Sequence, residues 1–185
     1  MTVQEFRDGI FALRTRRFGS VAEILIKKLF GYSFSDVLNY DLIDVNQNLR
    51  IEVKFSTVLK NNTEGITENN ILDQCEKANL ANRVIQSSDI QLPPDLQPKF
   101  DCNIQQVKCQ EFDVLYYGLF FSDKIEIFKV SSESVKNCPA NSEKQHRNNV
   151  GEGQFHINND TYQYHKDNNY IRELSYQEFL NLLRS

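Results

Sequence analysis

Tyr40-Asp41-Leu42-Ile43-Asp44-Val45, Asn46-Gln47-Asn48 and Leu49-Arg50-Ile51-Glu52-Val53-Lys54-Phe55 form the continuous stretch on which the fold turns. The second run alternates apolar and charged residues with a period of two, the pattern of a half-buried strand, and the amide-rich triplet before it favours a turn. A β-hairpin follows. On its second strand Glu52 and Lys54 project from one face, about 7 Å apart, while Leu49, Ile51, Val53 and Phe55 project from the other. Register then decides which acid joins them. A two-residue turn at Asn46-Gln47 puts Asp41 opposite Glu52, and one at Gln47-Asn48 puts it opposite Lys54. A three-residue loop would instead present Asp44, opposite Arg50, because a slip of one residue exchanges the faces. Asp41 is therefore the first candidate and Asp44 the reserve.

Upstream, Ser20 as N-cap, Val21, Ile24, Leu25 and Leu29 at helical spacing, and Gly31 as a stop predict a helix over 20–30. Downstream, Thr67 to about Gln86 holds no Gly or Pro, and Ile71, Cys75, Ala78 and Ile85 keep a helical period, predicting one long helix. Residues 88–111 carry Pro93, Pro94 and Pro98 and read as an irregular excursion. Phe112 to Phe121 reads as a central strand buried on both faces, with a second strand at 125–130 after Ser122-Asp123-Lys124. Residues 131–154 read as a second polar excursion. The tail offers Phe155-His156-Ile157, a polar turn, Tyr162-Gln163-Tyr164-His165, and Ser175-Tyr176-Gln177-Glu178 as a capping box opening a helix through Leu183. This order predicts a single α/β domain over 1–185, a mixed sheet with flanking helices. Two excursions of this length are expected to serve function.

With 185 residues, 25 acids against 21 bases, a net charge of −4 and 40% hydrophobic residues, the chain has ordinary globular proportions. The longest apolar run, Val114 to Phe121, is far short of the roughly 20 residues that cross a bilayer, so no membrane span is expected. The N-terminus has neither the basic nor the apolar region of a secretory signal, and a cytoplasmic location is expected. Cys75, Cys102, Cys109 and Cys138 contain no CxxC pair and are read as free thiols. Adding His146 to Cys102, Cys109 and Cys138 gives a loose set without the paired short spacings of zinc ribbons. An acidic total argues against a protein that coats nucleic acid nonspecifically, though it leaves room for a local basic cleft. The N-terminal stretch leans basic, and Arg14, Arg16 and Arg17 are the candidates for phosphate contact. No GxxxxGK[ST] or GxGxxG occurs, so no nucleotide cofactor is implied.

Two carboxylates on adjacent strands suit a hard divalent cation such as Mg²⁺, which binds through one or two carboxylates plus substrate phosphate. A lysine beside them can orient a water or stabilise charge developing on that phosphate. An amphipathic surface hairpin would show the same alternation, so the tripeptide gains weight from the helix and central strand that follow it.

Tyr40-Asp41-Leu42-Ile43, the turn, and Arg50-Ile51-Glu52-Val53-Lys54-Phe55-Ser56 resemble the active-site hairpin of the PD-(D/E)xK nuclease superfamily, and the element order over roughly residues 18–130 resembles that superfamily's core. Tyr40 stands where the name-giving motif has proline. The resemblance implies a restriction-endonuclease-like core, Asp41 and Glu52 as Mg²⁺ ligands, and Lys54 attending the attacking water. It also implies an assisting glutamate from the helix before the hairpin, where Glu23 stands. The tail, with Gly151-Glu152-Gly153-Gln154-Phe155-His156-Ile157 and the terminal Leu-Ser-Tyr-Gln-Glu-Phe-Leu, is similar to the C-terminal region of some type II restriction endonucleases. The expected activity is Mg²⁺-dependent, sequence-specific hydrolysis of double-stranded DNA, and a symmetric site implies a homodimer. A junction or repair nuclease and a non-catalytic DNA-binding subunit are the other readings. The two polar excursions favour sequence reading.

Overall fold

In the computed structural model, residues 1–144 and 151–185 are described. The hairpin forms with β2 (Leu42–Asp44) antiparallel to β3 (Leu49–Thr57), pairing Leu42 with Ile51, Ile43 with Arg50 and Asp44 with Leu49. That is the register of the Asn46-Gln47 turn. Asn48 takes φ 53°, a left-handed conformation that asparagine tolerates. Asp44 does not reach the charged face. Its Oδ1 accepts hydrogen bonds from Asn46 N (3.0 Å) and Gln47 N (3.1 Å), so it caps the turn instead of serving as reserve ligand.

β3 continues into a six-stranded mixed sheet with β1 (Ser33–Phe34), β5 (Val114–Phe120), β6 (Lys124–Ser131) and β8 (Tyr170–Ser175), in the order β1-β2-β3-β5-β6-β8. The β3–β5 pair is parallel and the others are antiparallel. The predicted central strand is β5, buried on both faces as its unbroken apolar run requires. One face packs against α1 (Val3–Phe11), α2 (Thr15–Phe30) and α6 (Tyr176–Arg184), with Phe18, Leu25 and Ile26 meeting Ile51, Val53, Tyr116, Phe120 and Phe179. The other buries Leu115, Tyr117, Leu119 and Phe128 against a separate ribbon, β4 (Asp101–Val107) antiparallel to β7 (Gly153–Asn158), through Cys102, Ile104, Phe155 and Ile157.

Several elements depart from expectation. α2 begins at Thr15, five residues before Ser20, with Arg14 at the N-cap and no side-chain cap. Packing of Phe18 and Ala22 carries those extra residues. Gly31 closes it with φ 74° and its N–H on Lys27 O, as read from sequence. The long helix over 67–86 is instead α3 (Ile71–Ala78) and α4 (Leu80–Arg83), broken where Asn79 turns extended. Its apolar period is not a core face: Ile71 and Leu72 are exposed and Gln74 is the buried residue of α3. The excursion over 88–111 contains β4, and that over 131–154 holds a 3₁₀ turn at Ser132–Asn137 and the start of β7. Tyr162-Gln163-Tyr164-His165 opens α5 (Tyr162–Asn168). Residues 145–150, with His146 of the loose zinc set, lie outside the described residues.

Candidate active site

The ladder between β2 and β3 stops at Leu42, and Asp41 replaces the missing strand with its own side chain. Its backbone N–H donates to Ile51 O (3.0 Å), its carbonyl accepts from Ser35 N (3.1 Å), and its Oδ2 accepts the Val53 N–H at 2.9 Å. Three hydrogen bonds therefore hold one aspartate at the open edge of β3.

Across that edge stand Glu52 and Lys54, on one face as the alternation requires. Lys54 Nζ donates to Glu52 Oε1 and lies 3.9 Å from Asp41 Oδ2. Glu52 is 8% exposed. Burial, followed by the charges of Asp41 and Glu111, pushes its carboxyl up to about 7 against the opposing pull of Lys54. Burial alone would lower the Lys54 ammonium, but Glu52 and Asp41 outweigh it and hold the group above its ordinary value. Glu23 arrives from α2. Burial and the Asp41 charge raise its carboxyl while Lys54 lowers it, so it shares the electrostatic environment of the other three.

The sequence-derived quartet thus converges from three elements: the middle of α2, the residue preceding β2, and β3. Two carboxylates pair with one ammonium, and a third, Glu23, feels its charge. Asp41 Oδ1 and Glu52 Oε2 take no hydrogen bond from the described residues and are the oxygens left to a cation. Among the described residues no group of three or more His, Cys, Asp or Glu side chains is close enough to hold a metal ion by itself. Two carboxylates fit Mg²⁺, which completes its shell with waters and substrate phosphate, better than a cation needing an all-protein cage. The thiols make no comparable set. Cys102 packs against Thr57 O, and burial pushes the Cys102 and Cys138 thiols up to about 12.

Arg14, Arg16 and Arg17 are exposed at the start of α2. Arg16 and Glu23 are seven residues apart, two turns along one stripe, about 10 Å. Two neighbours of the site were not singled out from sequence. Glu111 adds charge near Glu52, and Asp113 grips Arg50 in a fork, Oδ1 to Nη2 at 2.7 Å and Oδ2 to Nε at 3.2 Å. Both lie between β4, in the first excursion, and β5, and the parallel β3–β5 pairing brings them to the hairpin. A cavity of about 820 Å³ is lined by Val107, Cys109, Lys136 and Gly153 among others and includes none of the quartet. The Asp41 and Lys54 side chains are about a quarter exposed and Glu52 lies nearly buried beside them. No helix among the described residues is long and apolar enough to cross a membrane. Neither the protein-family models nor the curated proteins compared with the sequence match it.

Proposed function

We propose that the chain is a Mg²⁺-dependent endodeoxyribonuclease that cuts double-stranded DNA at a specific sequence, in the manner of a small type II restriction enzyme. The observation that carries this reading is the meeting of Asp41, Glu52 and Lys54 beside β3 where β2 ends, with Glu23 on α2 near enough to feel the charges of Asp41 and Lys54. Asp41 and Glu52 would hold the cation, which supplies polarisation of the scissile phosphate and a more acidic water when bound. Lys54 then leaves its carboxylate partners and turns its ammonium to the attacking water or the phosphate oxygen on which charge builds. Glu23, raised and half-buried, accepts a hydrogen bond from that water and fixes its orientation. Arg14, Arg16 and Arg17 contact the backbone of the same duplex, and a second copy of the chain attends the opposite strand.

The complete acid, acid, lysine set favours a catalyst over a binding subunit that has kept only the fold. Incubation with a mixed-sequence plasmid, with and without Mg²⁺, tests the reading. Discrete fragments appearing only with Mg²⁺ are expected. Absence of cleavage would overturn it in favour of a binding subunit, and cleavage confined to branched DNA would overturn it in favour of a junction enzyme.

A further inference from the structure

A second set of side chains, distant in sequence, is gathered by the backbone beyond the end of β3. Leu59 and Val84 form an isolated antiparallel bridge; next to it Lys60 N donates to Arg83 O at 2.7 Å and Asn61 N to Lys99 O at 2.7 Å. Lys60, Arg83 and Lys99 are thereby brought to one place. The two lysines are exposed and the arginine half-buried. Among the described residues none of the three side chains has an ion-pair or hydrogen-bond partner.

Lys99 also begins the outer row of the β4–β7 ribbon. Phe100, Cys102 and Ile104 point into the core, while Lys99, Asp101 and Gln105 are exposed and Asn103 half-buried, and β7 adds half-buried Gln154 and His156 to that side. The row is rich in carboxamides, which have low β-propensity. Asn103 Nδ2 donates to Gln154 Oε1 at 3.1 Å, and Asn103 Oδ1 is left buried without a partner. That oxygen faces inward, so the amide pair braces the ribbon from within and is not offered to a base edge. Asp101, the acid on this row, is engaged by His156 Nδ1 at 2.8 Å.

We infer that Lys60, Arg83 and Lys99 hold the phosphates of double-stranded DNA and turn the outer face of the β4–β7 ribbon towards its major groove. The choice of occupant rests on the nuclease reading above. Distance agrees with it. Lys60 follows Lys54 by six residues, at most about 20 Å of extended chain, comparable with half of the 34–36 Å turn of a duplex. A two-stranded ribbon is also an element that the major groove admits.

Two measurements in metal-free buffer test the inference, using fluorescence anisotropy and a pool of 30-base-pair duplexes of random sequence. A Lys60→Ala, Arg83→Gln, Lys99→Ala chain is expected to bind every duplex at least about tenfold more weakly, with a salt slope shallower by about 2 to 3. The single variants Lys60→Ala and Lys99→Ala, at exposed positions, are each expected to lower the slope by about 1. Unchanged affinity and slope in the basic variants overturn the inference. If the natural chain still cleaves plasmid, the nuclease reading survives that failure. A natural chain that neither binds the pool nor cleaves overturns both.

Discussion

Asp41 shows how a backbone accident becomes a site. Because β2 is only three residues long, the Val53 N–H has no strand to pair with, and the Asp41 carboxylate accepts it, which fixes the acid at the edge where Lys54 and Glu52 emerge. Such a cluster is unfavourable for the resting protein, since three carboxylates share one ammonium and Glu52 is nearly buried. Glu52→Gln should therefore raise metal-free stability by about 1 kcal/mol while abolishing cleavage and leaving DNA binding intact. Thermal melting without divalent ions, paired with plasmid cleavage, measures both. A variant that melts lower and still cuts would remove Glu52 from the site. Alternation made the common face of Glu52 and Lys54 legible from sequence, while the register that joins Asp41 and not Asp44 to them is set by the three-dimensional pairing of β2 with β3. Glu111, Asp113 and the Lys60–Arg83–Lys99 group were not legible, because long-range pairing brings them together and no local period records it.

The elements that sequence identified are those whose local signals agree with their packing: the hairpin, β5, β6 and the capped α6. α1 has the same kind of signal, a Thr2–Glu5 capping box, and was overlooked. β4 was hidden by prolines before it and by amides on its outer row, and α3 was misread because its apolar residues face solvent while Gln74 is buried beneath hydrogen bonds to Asn62 and Glu64. Two elements yield direct tests. In β5, Gly118 lies beneath the Phe55 ring of its parallel partner, and an added Cβ would come within 2.1 Å of Phe55 Cε1 and 2.4 Å of Glu126 O. Gly118→Ala should cost roughly 3 kcal/mol by urea unfolding, since the backbone contact cannot yield. In α5, His165 is fully buried, with Nδ1 on Tyr117 Oη at 2.8 Å and Nε2 unpaired. Burial pushes its imidazole down to about 4 from the ordinary 6.5. The unfolded chain therefore takes up a proton below pH 6.5 that the folded chain refuses, so this stability is complete above 6.5 and is lost as pH falls towards 4. The loss should be on the order of 2–3 kcal/mol, and His165→Gln should flatten the profile between pH 7 and pH 4.5; an unflattened profile would exclude His165 as the cause.

On the scale of the whole molecule, the proposed binding of a polyanion by a chain of net charge −4 requires a local excess of positive charge. Among the described residues, bases without an ion pair include Arg14, Arg16 and Arg17 at the start of α2 and Lys60, Arg83 and Lys99 beyond β3, while many of the other cations, such as Lys54, Lys77, Lys124 and Lys166, are tied to carboxylates. Replacing any one of Arg14, Arg16 or Arg17 with Ala should weaken binding alike on all sequences and lower the salt slope by about 1; a change in which sequence is cut, with the slope unaltered, would remove these arginines from the backbone. The stoichiometry follows from duplex geometry. The strands run antiparallel and are related by two-fold axes, whereas each chain carries one quartet, at the side of β3 left open where β2 ends. One such edge addresses one scissile phosphate at a time. Cutting both strands within a single binding event therefore needs two edges related by the same two-fold axis, each protomer reading one half-site. Light scattering of the DNA complex in the absence of metal should give a protein mass about twice 21.6 kDa. A complex holding one chain that still makes double-strand breaks in one encounter would sink the dimer and require the two strands to be nicked in turn by the same edge.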